Sequence, residues 1–260
     1  MITLQTTNTR TSADIEKVTI FGVPFSKMNM DQTVDYLTDV INRKDRPHQV
    51  ITANPIMVMT AVDNPEYLAM MRRADLVVPD GAGVVWAASY IGNPVPERVT
   101  GFELMQRLFR NGERYGWTAY LLGTSPEVIN EAAARLQLEY PRVRIVGCRD
   151  GFFRDEEDDE VIDDIRKAHP DLLFVARGAW NQEPWIDKHR HRLNVPLMMG
   201  VGGSFDVISG KVKRAPELFQ RLRLEWFYRL LREPTRFRRM LALPKFAVKV
   251  IREKENLKKA

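Results

Sequence analysis

The sequence of 260 residues predicts an α/β fold, a mainly parallel sheet covered by helices on both faces and followed by a basic, amphipathic helical C-terminal appendage. Three observations carry that expectation. Between Gln49 and Asp206, short apolar runs alternate with helix-length segments, as in parallel sheets buried on both sides. Polar and glycine-rich clusters recur where the runs end, the edge at which open α/β sheets hold ligands. Charge is also divided: 211–260 carries sixteen Lys or Arg against five Glu, although the whole chain is only +5. The arrangement is Rossmann-like, divided into a polar N-terminal segment (1–17), an α/β domain (18–216) and the appendage (217–260).

In chain order, Val18 to Phe25 reads as a strand or hairpin around Gly22-Val23-Pro24. Asp31 to Arg43 reads as a helix with Val34, Leu37, Val40 and Ile41 on one face. Gln49 to Ala53 is a strand ending in Thr52-Ala53-Asn54-Pro55, where Pro55 suits a helix's first turn. Thr52 and Asn54 lie two apart, so an extended backbone points both the same way. A short helix from Asn64-Pro65-Glu66 to Arg73 leads into the strand Leu76 to Val78 and the turn Pro79-Asp80-Gly81-Ala82-Gly83. Proline ends that strand by withholding a donor, and the glycines permit backbone that side chains forbid. At this turn Asp80 can serve as general base, metal ligand, hydroxyl anchor or cap of the helix Val84 to Ile91.

The loop 92–101 holds Arg98, by default a solvated charge, and leads into the helix Phe102 to Arg114. Thr118 to Leu122 is a buried-type strand, and its Gly123-Thr124-Ser125-Pro126 turn suits either a phosphate or ordinary helix capping. Val143 to Cys148 is the next strand. The acidic start of the helix Glu156 to Ala168 fits macrodipole compensation better than metal binding. Leu172 to Ala176 and Pro196 to Met199 complete the strands, the last followed by Gly200-Val201-Gly202-Gly203-Ser204-Phe205-Asp206. That turn does not complete a dinucleotide fingerprint, which argues against a nicotinamide-dependent reductase.

The tail reads as a helix from Glu217 to Leu231 with Leu218, Leu222, Trp226 and Leu230 in one stripe, broken at Pro234. Lys245 to Ile251 mixes apolar residues with lysines, as interfacial helices do. Met1 to Lys17 lacks the apolar core of a signal peptide, no run is long enough for a transmembrane helix, and Cys148 is the single cysteine. These features fit a reducing cytoplasm. By composition alone the basic tail leaves phosphates, anionic lipid and nucleic acid open as partners.

The ordered set Thr52-Ala53-Asn54-Pro55, Pro79-Asp80-Gly81-Ala82-Gly83, Arg98-Val99-Thr100-Gly101, Asn181-Gln182-Glu183-Pro184-Trp185-Ile186, Gly200 to Asp206, Arg214-Ala215-Pro216, Glu225-Trp226 and the arginine-rich stretch to Arg236 resembles the WecG/TagA/CpsF family of bacterial glycosyltransferases over roughly 18–240. Arg177 and Trp180 depart from the Leu and Pro that the family pattern places there. The resemblance implies inverting, metal-independent transfer without a cofactor. A sugar moves from a UDP-sugar donor to an undecaprenyl-diphosphate-linked acceptor during synthesis of wall teichoic acid or another surface polysaccharide. N-acetylmannosamine is the expected sugar, with its uronic acid and glucose as alternatives.

On the same resemblance Asp80 is the base and Arg98 an active-site arginine. Thr52, Asn54 and Gln182 orient sugars, while Arg229, Arg236 and Arg239 close over the diphosphate. Gly123, Gly200, Gly202, Gly203 and Asp206 fall on the nucleotide side. The expected partners are the two substrates and the inner face of the cell membrane, with no nucleic acid and with self-association through the tail's apolar face. A nucleic-acid module and a membrane-surface structural protein are the rivals from other classes, and the second leaves the polar strand ends unused.

Overall fold

The computed structural model describes residues 15–178, 180–221, 225–234 and 237–258. Strands β1 (Lys17–Ile20) and β2 (Val23–Ser26) form an antiparallel hairpin whose turn places Phe21 and Gly22 at positive φ. Helix α1 (Met30–Arg43) starts in a capping box, Asn29 accepting from the Gln32 N–H while the Gln32 side chain accepts from Asn29 N–H. Then come β3 (His48–Ala53), α2 (Pro55–Asp63), α3 (Pro65–Arg73), β4 (Leu76–Pro79), α4 (Ala82–Tyr90) and α5 (Gly101–Tyr115). The second half holds β5 (Thr118–Gly123), α6 (Pro126–Glu139), β6 (Arg144–Arg149), α7 (Asp158–Ala168), β7 (Leu172–Ala176), α8 (Gln182–Leu193), β8 (Leu197–Gly200) and α9 (Ser204–Ile208). Three helices begin alike: Asn54, Asn64 and Ser125 cap helices whose first residue is Pro55, Pro65 or Pro126.

Six strands make one sheet in the order β4-β3-β8-β7-β5-β6, every neighbouring pair parallel. Residues alternate between its faces. Val50, Leu76, Val78, Leu121 and Phe174 join α1, α5 and α6 in one core, while Ile51 and Val77 face the hairpin with α2, α3 and α4. A third cluster, with Leu122, Leu173 and Val175, lies under α7 and α8. The sheet is thus covered on both sides, as its apolar runs predict.

The tail comprises α10 (Glu217–Arg221), α11 (Glu225–Arg232), α12 (Phe237–Met240), α13 (Ala242–Arg252) and α14 (Lys254–Lys258). The expected helix 217–231 is therefore described as α10 and α11; Leu222 lies outside the described residues. Phe246 and Val250 of α13 are fully buried in the core shared with the hairpin, α2 and α4, and Phe246 meets the ring of Phe21 edge-on. Val248 and Ile251 lie exposed on the same helix. Burial of one Phe and one Val is worth roughly 3–6 kcal/mol, enough to dock this part of the tail. Among the described residues no helix is long and apolar enough to cross a membrane.

The acidic start of α7 does more than compensate a macrodipole. Asp159 and Glu160 are exposed in the first turn, but Asp158 is buried. Its Oδ1 accepts from Trp185 Nε1 at 2.8 Å, and its Oδ2 lies 2.9 Å from His189 Nε2, joining α7 to one face of α8. Burial alone would raise the Asp158 carboxyl, but those contacts hold it below its usual range; burial lowers His189, so the pair is a carboxylate facing a neutral imidazole. Both groups make the fold acid-sensitive. The buried histidine resists the proton that an unfolded chain takes up as pH falls below about 6.5, and the lowered carboxylate loses its contribution as pH falls further through its folded value. Asp158→Ala leaves two buried donors without partners and should cost roughly 2–4 kcal/mol in urea unfolding. Stability should depend less on pH in the acid range where carboxylates titrate, but no less below about 6.5, because without Asp158 the buried His189 takes up a proton less readily still. An unchanged midpoint would contradict this role.

Candidate active site

Because the strands are parallel, their C-terminal ends share one edge, and a cavity of about 940 Å³ opens there. Its size lies at the upper end for small-molecule clefts. Thr52 and Asn54 from β3, Asp80 after β4, Arg177 after β7 and the glycine turn after β8 all line it, with α11, α12 and α13 forming the outer wall.

Asp80 sits where β4 gives way to α4. The cap of α4 is Gly81, which offers no side chain, and Asp80 instead reaches across: its Oδ2 accepts from the Gly101 N–H at 3.3 Å, at the first residue of α5. That helix end favours a negative charge, so the carboxylate is held both by a hydrogen bond and by the positive end of a fifteen-residue helix. The same loop is fastened to the strand by Val99 N–H donating to Pro79 O at 2.9 Å. This bond brings Arg98 to the cavity. Gly81 and Gly83 are needed because a Cβ at either would strike the ring of Pro55 at the start of α2. Gly101 is needed because its own would meet Thr52 Oγ1. Thr52, Asp80 and the α5 terminus thus pack as one unit.

Asn54 is half committed. Its Oδ1 accepts from both Ile56 and Met57 N–H groups as the cap of α2, which leaves the amide nitrogen as the group it can offer a ligand. Arg98 is not simply solvated: its Nη2 donates to Glu225 Oε1 of α11 at 2.9 Å in a pair that is 18% and 22% exposed.

Across the cavity, Gln182 opens α8 and bridges to the glycine turn. Its Oε1 accepts from Gly202 N–H at 3.1 Å, and its Nε2 donates to Glu183 Oε1 at 2.6 Å. Gly202 adopts φ +51° and Gly203 caps α9, whose Asp206 also lines the cavity. Gly123 is set deeper, at φ +131°, where a Cβ would collide with the Ala176 backbone. Its neighbours Thr124 and Gly151 reach the cavity instead.

The tail brings Trp226, Arg239 and Met240 to the wall. Arg236 and the side chain of Arg229 lie outside the described residues. Arg214, part of the Arg-Ala-Pro step, lines the cavity while donating to Glu103 at 3.0 Å and stacking over Phe102. Sequence reasoning gave no role to Arg214, Glu183, Trp86 or Phe152, all of which line the cavity. Arg177, noticed only as a departure, lies 3.7 Å above the Phe153 ring and donates to Phe153 O at 2.8 Å, which fixes its guanidinium in the wall. Among the described residues no three His, Cys, Asp or Glu side chains are grouped to hold a metal ion.

Comparison with known proteins places these features in one lineage. The model of the glycosyl transferase WecG/TagA/CpsF family matches residues 18–260. A Bacillus spizizenii protein named N-acetylglucosaminyldiphosphoundecaprenol N-acetyl-beta-D-mannosaminyltransferase is 41% identical over 203 residues, 78% of each chain. Proteins of that name from Bacillus subtilis and Staphylococcus aureus are 35% and 36% identical, covering 92% and 94% of this chain and 93% and 96% of their own lengths. The family match therefore spans the sheet, every described wall of the cavity and the tail that closes it, and this chain belongs to the WecG/TagA/CpsF family of glycosyltransferases.

Proposed function

We propose that the chain transfers N-acetylmannosamine from a UDP-linked donor to N-acetylglucosamine carried on undecaprenyl diphosphate, with inversion at the anomeric carbon and without a metal. The observation that carries this reading is the placement of Asp80: a carboxylate tied to Gly101 N–H, in a cavity that also presents Arg98, Thr52 and Gln182. The named activity of the relatives supports the sugar and the acceptor.

In this mechanism an acceptor hydroxyl attacks the anomeric carbon from the side opposite the UDP. Asp80 takes the hydroxyl proton as the new C–O bond forms, and the bond to UDP breaks with its electron pair leaving on the diphosphate. Asn54 Nδ2, Thr52 and the Gln182 amide orient sugar hydroxyls, and the Gly202 to Asp206 turn takes the nucleotide side. Arg98, Arg239, Arg229 and Arg236 supply the positive charge that the departing diphosphate needs, guanidinium forks matching its oxygens. Glu225 holds Arg98 until the diphosphate displaces it.

The acceptor's lipid dictates where this happens. Leu231, Phe237, Leu241, Val248 and Ile251 are exposed apolar residues on a tail rich in Arg and Lys, a composition that seats a helix in the interface of an anionic leaflet. That surface would hold the chain at the inner face of the membrane, with the cavity wall formed by the same helices facing the acceptor. The same apolar residues would also support self-association when no membrane is present.

Asp80→Asn keeps an oxygen for the Gly101 N–H but removes the basicity. UDP affinity and thermal midpoint should stay near those of the parent, while turnover should fall by roughly 10²–10⁴. Near-normal turnover would remove Asp80 as the base. Changing Leu241, Val248 and Ile251 together to Ser should strongly reduce co-sedimentation with phosphatidylglycerol vesicles at about 150 mM salt while leaving turnover of a short-chain, water-soluble acceptor intact. Sedimentation equal to that of the parent would move the membrane contact to another surface.

A further inference from the structure

Gln182 faces the cavity, and the residue after it is turned into the interior. Glu183 is 2% exposed, its Oε2 is buried without a hydrogen-bond partner among the described residues, and Tyr67 Oη and Gln49 Oε1 share that condition. Gln49 Nε2 donates to the Glu183 carbonyl at 3.0 Å, tying the start of α8 to β3 across 134 residues of sequence. A carboxyl in such a place has a cost that only a reason of function or packing offsets.

We infer that Glu183 is a positioning residue that locks the orientation of the Gln182 amide in the cavity wall. Gln182 Oε1 is held by Gly202 N–H and Nε2 by Glu183 Oε1, so both ends of the amide are assigned and it offers a substrate one remaining N–H and one remaining lone pair in a fixed order. The Gly202 N–H already favours the oxygen at its own end, since a flipped amide would turn its NH2 against that donor; the Glu183 contact selects the same order from the nitrogen end and holds the plane of the amide as well. Glu183 therefore narrows the rotation that one contact alone would leave.

Two further features agree. Burial pushes the Glu183 carboxyl up to about 7, so near neutrality the neutral acid is a substantial share of the population, and in either form an oxygen remains to accept from Gln182. At the end of β8, a Cβ on Gly200 would lie 2.5 Å from Glu183 Oε1 and 2.6 Å from Gln182 Nε2; the strand end is therefore kept bare where the two side chains meet. The inference rests on the reading of Gln182 as a sugar contact, and its consequence is selectivity. A locked amide distinguishes donor sugars by the direction of a hydrogen bond, not merely by size.

The test uses the full chain with UDP-N-acetylmannosamine and a short-chain lipid-diphosphate acceptor, measuring KM, kcat, UDP affinity and thermal midpoint. Glu183→Gln retains a carbonyl acceptor and should keep donor KM within about threefold. Glu183→Leu fills the space without accepting and should raise donor KM about tenfold or more, with UDP affinity within about twofold of the parent. Gly200→Ala forces the pair apart from outside and should raise donor KM in the same way, which keeps the test open if Glu183→Leu does not fold. Donor KM unchanged in Glu183→Leu or Gly200→Ala while Gln182→Ala is impaired would overturn the positioning role alone. Glu183→Gln as damaging as Glu183→Leu, with a matching loss of thermal midpoint, would reduce Glu183 to packing. Full activity in Gln182→Ala would overturn the inference together with the reading of Gln182.

Discussion

All six strands of the sheet run in one direction, and this fixes where chemistry can occur. A parallel strand must be followed by a crossover, so each strand delivers its following turn to the same edge, while helices occupy both faces and exclude water from them. At that edge β3 and its end supply Thr52 and Asn54, the end of β4 supplies Asp80, and the end of β8 supplies the Gly200 to Asp206 turn, although Thr52 and Asp206 lie 154 residues apart in the chain. Their relative placement is inherited from hydrogen-bond registers such as Thr52 beside Val78 and Val175 beside Gly200, which leave little room to slip because both faces are buried.

On this frame the site is assembled by backbone groups as much as by side chains. The Gly101 N–H holds Asp80, the Pro79 carbonyl holds the Arg98 loop, and the Gly202 N–H holds Gln182. Glycine recurs at these contacts because the elements approach so closely that a Cβ would part them: Gly81 and Gly83 against Pro55, Gly101 against Thr52, Gly200 against Gln182 and Glu183. The tail closes the arrangement from outside. It is anchored through Phe246 and Val250 and latched through Glu225 on Arg98.

The strands were legible because each is a short apolar run bounded by Gly, Pro or a polar cap, so their positions agree with expectation to within about a residue. The helix start at Asn64-Pro65 was legible too, and at Ser125-Pro126 capping was one of two readings the turn allowed. The capping of α2 by Asn54 was not legible, since the same side chain also lines the cavity and the sequence does not separate the two placements. Asp158 shows the limit more clearly: in sequence it is one acid among several, and only the arrival of Trp185 and His189 on the facing helix makes it a buried acceptor. Glu183 lay inside a recognised motif, but its burial depends on Gln49 and Gly200, each brought there by a different strand. Nothing local distinguishes such a carboxylate from a solvated one at a helix start. The tail was legible in charge and periodicity, whereas the docking of α13 by Phe246 and Val250 depends on a surface formed by the hairpin, α2 and α4.

Transfer of a sugar from a UDP donor to a lipid-diphosphate acceptor on protein groups alone can be read from UDP release by a panel of UDP-sugars, with and without N-acetylglucosamine on a short-chain lipid diphosphate and with and without EDTA. Release should require both substrates, be fastest with UDP-N-acetylmannosamine and be unchanged by EDTA. Release abolished by the chelator, or a chain that neither binds UDP nor turns over any donor, would contradict it.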